Sequence, residues 1–143
     1  MSDGVSAQAR PERVLIESLD DEFARLHALL RSTVLNSSPE QFEFSRKKVL
    51  RGAATLERTF GGITANMWDD PFEWTLPETL CSREKILEYL MEVEGLGKQA
   101  FSRFRQDSEL YREIAIPSGE TRSLVVLLLE TLFKATHDFN GKL

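Results

Sequence analysis

The chain has one cysteine, Cys81, and only two histidines, His27 and His137. A single thiol excludes an intrachain disulfide and any zinc site built on paired cysteines, and it fits a cytoplasmic address. Long apolar runs are also missing. The longest unbroken aliphatic stretch, Leu124 to Leu129, is far short of the roughly 20 residues a membrane-spanning helix needs, so no membrane partner is expected. Residues 1–11 are small and polar, without the apolar segment of an export signal, and read as a flexible tail before one domain over 12–143. Positive charge is in deficit: 18 Lys and Arg stand against 23 Asp and Glu, a net charge of −5. That balance excludes a general nucleic-acid partner, because neutralising phosphates takes a concentrated basic surface. The local exception, Arg46, Lys47, Lys48 and Arg51, reads as a solvated helix entry or loop.

Alternating β-branched runs are nearly absent as well, and helical periodicity takes their place. Leu15, Leu19, Phe23, Leu26 and Leu30 recur at steps of three and four, and the turn formers Asn36 to Pro39 end that pattern. A second stripe runs Val49, Leu50, Ala53, Leu56, Phe60, Ile63 and Met67. It crosses Gly61-Gly62, and each interior glycine costs about 1 kcal/mol relative to alanine. Such a pair needs a packing reason: a neighbouring helix in close approach, or space for a ligand. The clearest helix begins at the N-cap Ser82 and carries Ile86, Tyr89, Leu90, Val93, Leu96, Ala100, Phe101 and Phe104, with Glu84, Glu88, Glu92 and Lys98 outward. A Pro/Gly turn over 116–121 leads to cap candidates Thr121 and Ser123. The last helix, Leu124 to Phe139, is apolar nearly all round at first and so reads as the most buried element, ending at Asn140-Gly141. The fold class is therefore all-α, a four-helix bundle.

The densest stretch is Asn66 to Leu80, with both tryptophans, Trp68 and Trp74, the carboxylates Asp69, Asp70, Glu73 and Glu78, and Pro71 and Pro77. It resembles the second-helix exit and crossover loop of the DinB-like four-helix-bundle superfamily, and the resemblance extends from about Arg13 to the end of the chain. It implies a crossover between helices 2 and 3, and commonly a homodimer. It also implies, in metal-binding members, one histidine from the second helix and two, spaced i and i+4, from the last helix shortly before a glycine. With Gly141 as that glycine, the matching positions here are Gly62, Ala135 and Phe139, none of which can ligate. The implied protein is a non-enzymatic bundle with no cofactor, a small-molecule-binding or interaction module. Its pocket rim would be Gly62, Trp68, Asp69, Glu73, Trp74 and His137. The alternative is a metal-dependent thiol S-transferase or hydrolase-like enzyme. That would need zinc, nickel or manganese on a displaced site, with His137, Asp69 and Glu73 as ligands and Asp70 or Glu130 in support.

Each of these residues also has a plain structural role open to it. His137 can hydrogen-bond a nearby carboxylate, His27 reads as a boundary residue, and Cys81 as a semi-buried inert thiol. Trp68, Phe72 and Trp74 can plug the open end of the bundle.

Overall fold

The computed structural model describes residues 11–68 and 80–140. Among them are four α-helices: α1 Val14–Asn36, α2 Phe42–Ala65, α3 Arg83–Arg103 and α4 Leu124–Asn140. A short 3-10 turn, Pro11–Arg13, leads into α1, and a second, Asp107–Tyr111, follows α3. The strands β1 Glu113–Ala115 and β2 Thr121–Ser123 form an antiparallel pair ahead of α4. This pair departs from the helix-only expectation: Thr121 belongs to β2 rather than to a cap. Gly119 supplies the positive φ, 92°, that closes the turn between the strands. Three-residue strands leave too short an alternation to detect in sequence. Ser123 keeps the capping role, its hydroxyl accepting from the Val126 N–H at 3.4 Å.

Helix directions follow from which side chains meet. Asp20 pairs with Lys98, and Arg83 reaches the carbonyls of Val34 and Ser37, so α1 and α3 are antiparallel. Arg46 lies near Leu80, the Tyr89 hydroxyl donates to Glu57, and Phe60 packs over Gly97, so α2 and α3 run parallel. Thr59 meets Thr131 while Gly52 faces Ala135, so α4 is antiparallel to α2. The consecutive helices α2 and α3 therefore run parallel, with Ala65 and Arg83 at opposite ends of the bundle.

The core is an aromatic knot where α1, α2 and α3 converge. Phe23 and Phe60 meet edge-on at 5.2 Å between centroids, and Phe101 lies 5.7 Å from each. Ile16, Leu30, Leu50, Leu56, Ile86 and Leu128 are fully buried around it. The helical stripes read from sequence on α1, α2 and α3 are largely the ones buried here, with Leu15, Ile63, Tyr89 and Leu96 half-buried; Met67, read as the end of the second stripe, lies beyond α2 and is exposed. One expectation holds in part and one fails. The cationic run is a helix entry with Lys47 and Arg51 exposed, but Arg46 is not solvated: it is 8% exposed and ion-paired with Glu43, and the half-buried Lys48 sits over the rings of Phe44 and Phe139. Nor is α4 the most buried element. It packs chiefly on α2 and only marginally on α1, which leaves Val126, Leu129 and Phe133 exposed.

Among the described residues no helix is long and apolar enough to cross a membrane.

Candidate functional site

A cleft of about 220 Å³ opens between α2 and α4, closed at one end by the hairpin turn and at its side by Trp68. Thr55, Arg58 and Thr59 face it from α2, and Leu127, Glu130, Thr131 and Lys134 from α4. These are the i, i+3, i+4 and i+7 positions that share one helix face. Ile116 and Pro117 add an apolar edge from the turn. At the floor the hydroxyls of Thr59 and Thr131, both buried, meet at 2.7 Å. One of them donates to the other, which leaves the acceptor's proton and further lone pairs for a third group.

The wall made by Trp68 explains Gly61-Gly62. Asn66 adopts a left-handed conformation, φ 56°, which a non-glycine residue other than Asn or Asp takes only at a cost. Its N–H donates to the Gly62 carbonyl at 2.9 Å, and the Met67 N–H donates to the Gly61 carbonyl at 3.0 Å. The chain thereby turns back on its own helix. A Cβ on Gly62 would lie 2.3 Å from the Trp68 indole, and one on Gly61 would lie 3.0 Å from the Met67 carbonyl oxygen. The pair therefore accommodates the reversal just after α2, rather than a neighbouring helix. Trp68 is held at both ends: its indole N–H donates to Asn66 Oδ1 at 2.9 Å, and its carbonyl accepts from Arg58 Nε at 2.8 Å.

The charges around the cleft differ in how far they are committed. Glu130 lies 3.6 Å from Arg122, which also pairs with Glu120 at 3.0 Å. Lys134 pairs with Asp138 at 2.9 Å, and Asp138 also accepts from Thr55 Oγ1 at 2.9 Å. Arg58 makes one hydrogen bond, to the Trp68 carbonyl, and meets no carboxylate among the described residues.

A larger depression, about 610 Å³, runs along the α1–α3 seam past Arg13, Asp20 and Lys98. Most of its polar groups are already used, and Arg105 is the lining cation without an ion pair among the described residues. Asp20 pairs with Lys98 at 3.0 Å, and Arg13 donates to the Phe101 and Phe104 carbonyls and to Glu17. Size alone does not make it the better site, because recognition needs several polar groups that converge on a ligand, and a single exposed guanidinium does not supply them. Beside it, His27 is buried, contrary to its boundary reading, since it shares the α1 face that meets α3. Its Nδ1 has no hydrogen-bond partner among the described residues, and burial lowers its pKa below the ordinary value.

Of the residues singled out from sequence, the structure brings Trp68 to the cleft and sets Gly62 directly beneath it. His137 is exposed on α4 and does not line the cleft. Asp69, Glu73 and Trp74, with Asp70 and Phe72, lie outside the described residues. Cys81 is exposed rather than semi-buried, because it precedes the first turn of α3. The three positions carried over for histidine ligands do not face one another. With Thr59 opposite Thr131 and Gly52 opposite Ala135, Gly62 stands near the level of Leu128. That is roughly 10–16 Å along the axis from Ala135 and Phe139. Among the described residues no three of His, Cys, Asp and Glu are grouped to hold a metal ion, and Asp69 and Glu73 of the displaced site lie outside those residues. Sequence reading missed Arg58, Thr55, Thr59, Thr131 and Lys134. The available signal was Thr59 and Thr131, two hydroxyls at buried positions of otherwise apolar stripes.

Among the described residues the fold and the cleft define a helical protein with a mixed polar and apolar recess between α2 and α4. No family model, no curated protein and no solved structure matches the chain.

Proposed function

We propose that this protein is a non-enzymatic, DinB-like four-helix bundle, acting in the cytoplasm, that binds a small molecule in the α2–α4 cleft. The observation that carries the reading is the buried Thr59–Thr131 hydroxyl pair at the floor of an apolar-edged recess. Two polar side chains placed where apolar ones would pack are the arrangement of a site that orients a ligand. The test is a fragment screen by saturation-transfer NMR on wild-type protein and on Ile116→Trp, which fills the mouth from the hairpin turn. Fragments that bind wild type and are lost in Ile116→Trp support the reading. Fragments indifferent to Ile116→Trp, or a screen without binders, refute it.

The same proposal includes a homodimer through the open side of α4. Leu29 from α1 and Val126, Leu129 and Phe133 from α4 are 41–77% exposed beside a groove between the two helices. They amount to a few hundred Å² of apolar surface, the scale of the apolar centre of one side of a standard interface. The occupant this face suits is a second copy. Its rim carries Glu22 and Arg25, ion-paired with each other one turn apart, so the rim presents no unbalanced charge to repel a second copy across a two-fold axis. Sedimentation equilibrium should give a dimer that Phe133→Asp converts to monomer; monomeric wild type would refute this part.

A further inference from the structure

We infer that the ligand of the α2–α4 cleft is a small ring-bearing carboxylic acid whose carboxylate is taken by the Arg58 guanidinium. This rests on the small-molecule reading above and adds the chemical class. Among the charged side chains that line the recess, Glu130 and Lys134 have ion-pair partners, with Arg122 and Asp138. Arg58 is the lining cation without a carboxylate among the described residues. Its Nε is held on the Trp68 carbonyl at 2.8 Å, which places the guanidinium at the rim and leaves the terminal N–H groups for a two-pronged contact with a planar carboxylate.

The rest of the recess sets the body of the ligand. Trp68, Ile116, Pro117 and Leu127 give it apolar walls, and an aromatic wall favours a flat ring by stacking. A volume of about 220 Å³ holds a molecule of roughly ten non-hydrogen atoms, at a little less than a water's share of space for each. The floor hydroxyls of Thr59 and Thr131 can hydrogen-bond a substituent on the far side of the ring. One uncommitted cation balances one negative charge, and the paired Glu130 and Lys134 at the same rim add no net positive charge to hold a second. The geometry therefore selects a monoanion over a phosphate dianion.

The experiment titrates full-length protein with benzoate, benzamide and inorganic phosphate, following amide shifts by NMR, in wild type, Arg58→Gln and Arg58→Lys. Arg58 is exposed, so neither variant should disturb the core; both lose the Nε contact to the Trp68 carbonyl, and unchanged benzamide binding reports that the Trp68 wall still stands. The expected result is that benzoate binds about tenfold more tightly than benzamide, with shifts at the cleft. Arg58→Gln should erase that difference, and Arg58→Lys should restore part of it, because a point charge replaces the fork. If benzoate and benzamide bind the cleft equally, or Arg58→Gln leaves benzoate unchanged, the carboxylate inference fails while the cleft stands. Phosphate that outcompetes benzoate at the cleft also overturns it. If neither ring compound perturbs the cleft, the inference and the binding reading fall together.

Discussion

Helix α3 meets α1 along one seam and α4 meets α2 along another, and the two seams use polar groups in opposite ways. Along α1–α3 the polar groups close the helices onto each other. The Asp107 carboxylate accepts from the Leu15 and Ile16 N–H groups, both at 2.9 Å, and so caps α1, whose own preceding residue, Arg13, offers no cap. Arg13 in turn donates to the Phe101 and Phe104 carbonyls at the end of α3, and Arg83 donates to Val34 and Ser37 at the end of α1. Each exposed helix terminus is matched by a charge of the favourable sign. Along α2–α4 the polar groups face a gap instead, with a buried hydroxyl pair at its floor and an uncommitted guanidinium at its rim. The larger depression is thus bridged mainly by structural contacts, whereas the smaller one is where the proposed function places a ligand.

If that division is right, changes along α1–α3 and in the aromatic knot alter stability and leave ligand binding alone. The largest effect should come from Phe60→Ala, which empties the centre of the knot shared with Phe23 and Phe101 and should cost about 3–5 kcal/mol in denaturant unfolding. Asp107→Ala should cost about 1–2 kcal/mol, since two amide N–H groups at the start of α1 lose their acceptor. A smaller effect, about 1 kcal/mol, is expected for Thr59→Val, which leaves the Thr131 hydroxyl without its partner. The double variant Thr59→Val with Thr131→Val should recover most of that loss while abolishing ligand binding. A double variant no more stable than the single one would mean that the hydroxyls hold the helices together rather than serve a ligand.

A pH dependence should also separate the seams. Desolvation by burial lowers the His27 pKa from its ordinary 6.5, opposed by Glu94 and Asp20 and reinforced by Arg31 and Lys98. The neutral imidazole is thus favoured in the folded chain, while the unfolded chain takes up a proton near the ordinary value. Stability is full above about pH 6.5 and falls as pH drops below it, until the lower folded-state pKa is passed. Melting temperatures between pH 7.5 and 5 should show this decline in wild type and a flatter profile in His27→Leu. The smallest stability effect belongs to Gly62→Ala. The new Cβ displaces the Trp68 indole, whereas alanine favours the helix by about 1 kcal/mol, so stability should hardly change. The fluorescence of Trp68, isolated in a Trp74→Phe background, should shift to the red, and the cleft should lose its ligand.

Much of this architecture was legible in the chain. The stripes of α1 and α3, the end of α1 at Asn36 and the Ser82 cap follow from spacing and local chemistry, which is what periodicity encodes. The first half of α2 and the exposed flank of α4 were not, because both depend on neighbours. Arg46 is buried through Glu43 and Leu80, and α4 is apolar on a side that α1 scarcely covers. Asp107 capping a helix 92 residues away in sequence is invisible to any local rule. The site was read only at its edge. Trp68 and Gly62 drew notice as unusual residues, whereas Arg58 and Thr131 look ordinary until the register of α2 against α4 sets them around one space.

The most direct test of the α2–α4 cleft as the seat of function is a chemical-shift map of the backbone amides during titration with a mixed set of small organic fragments. The account predicts perturbations gathered at Thr55, Arg58, Thr59, Trp68, Leu127 and Thr131, with the α1–α3 seam silent. Perturbations centred on Asp20, Lys98 and Phe101, or none at the cleft, would contradict it.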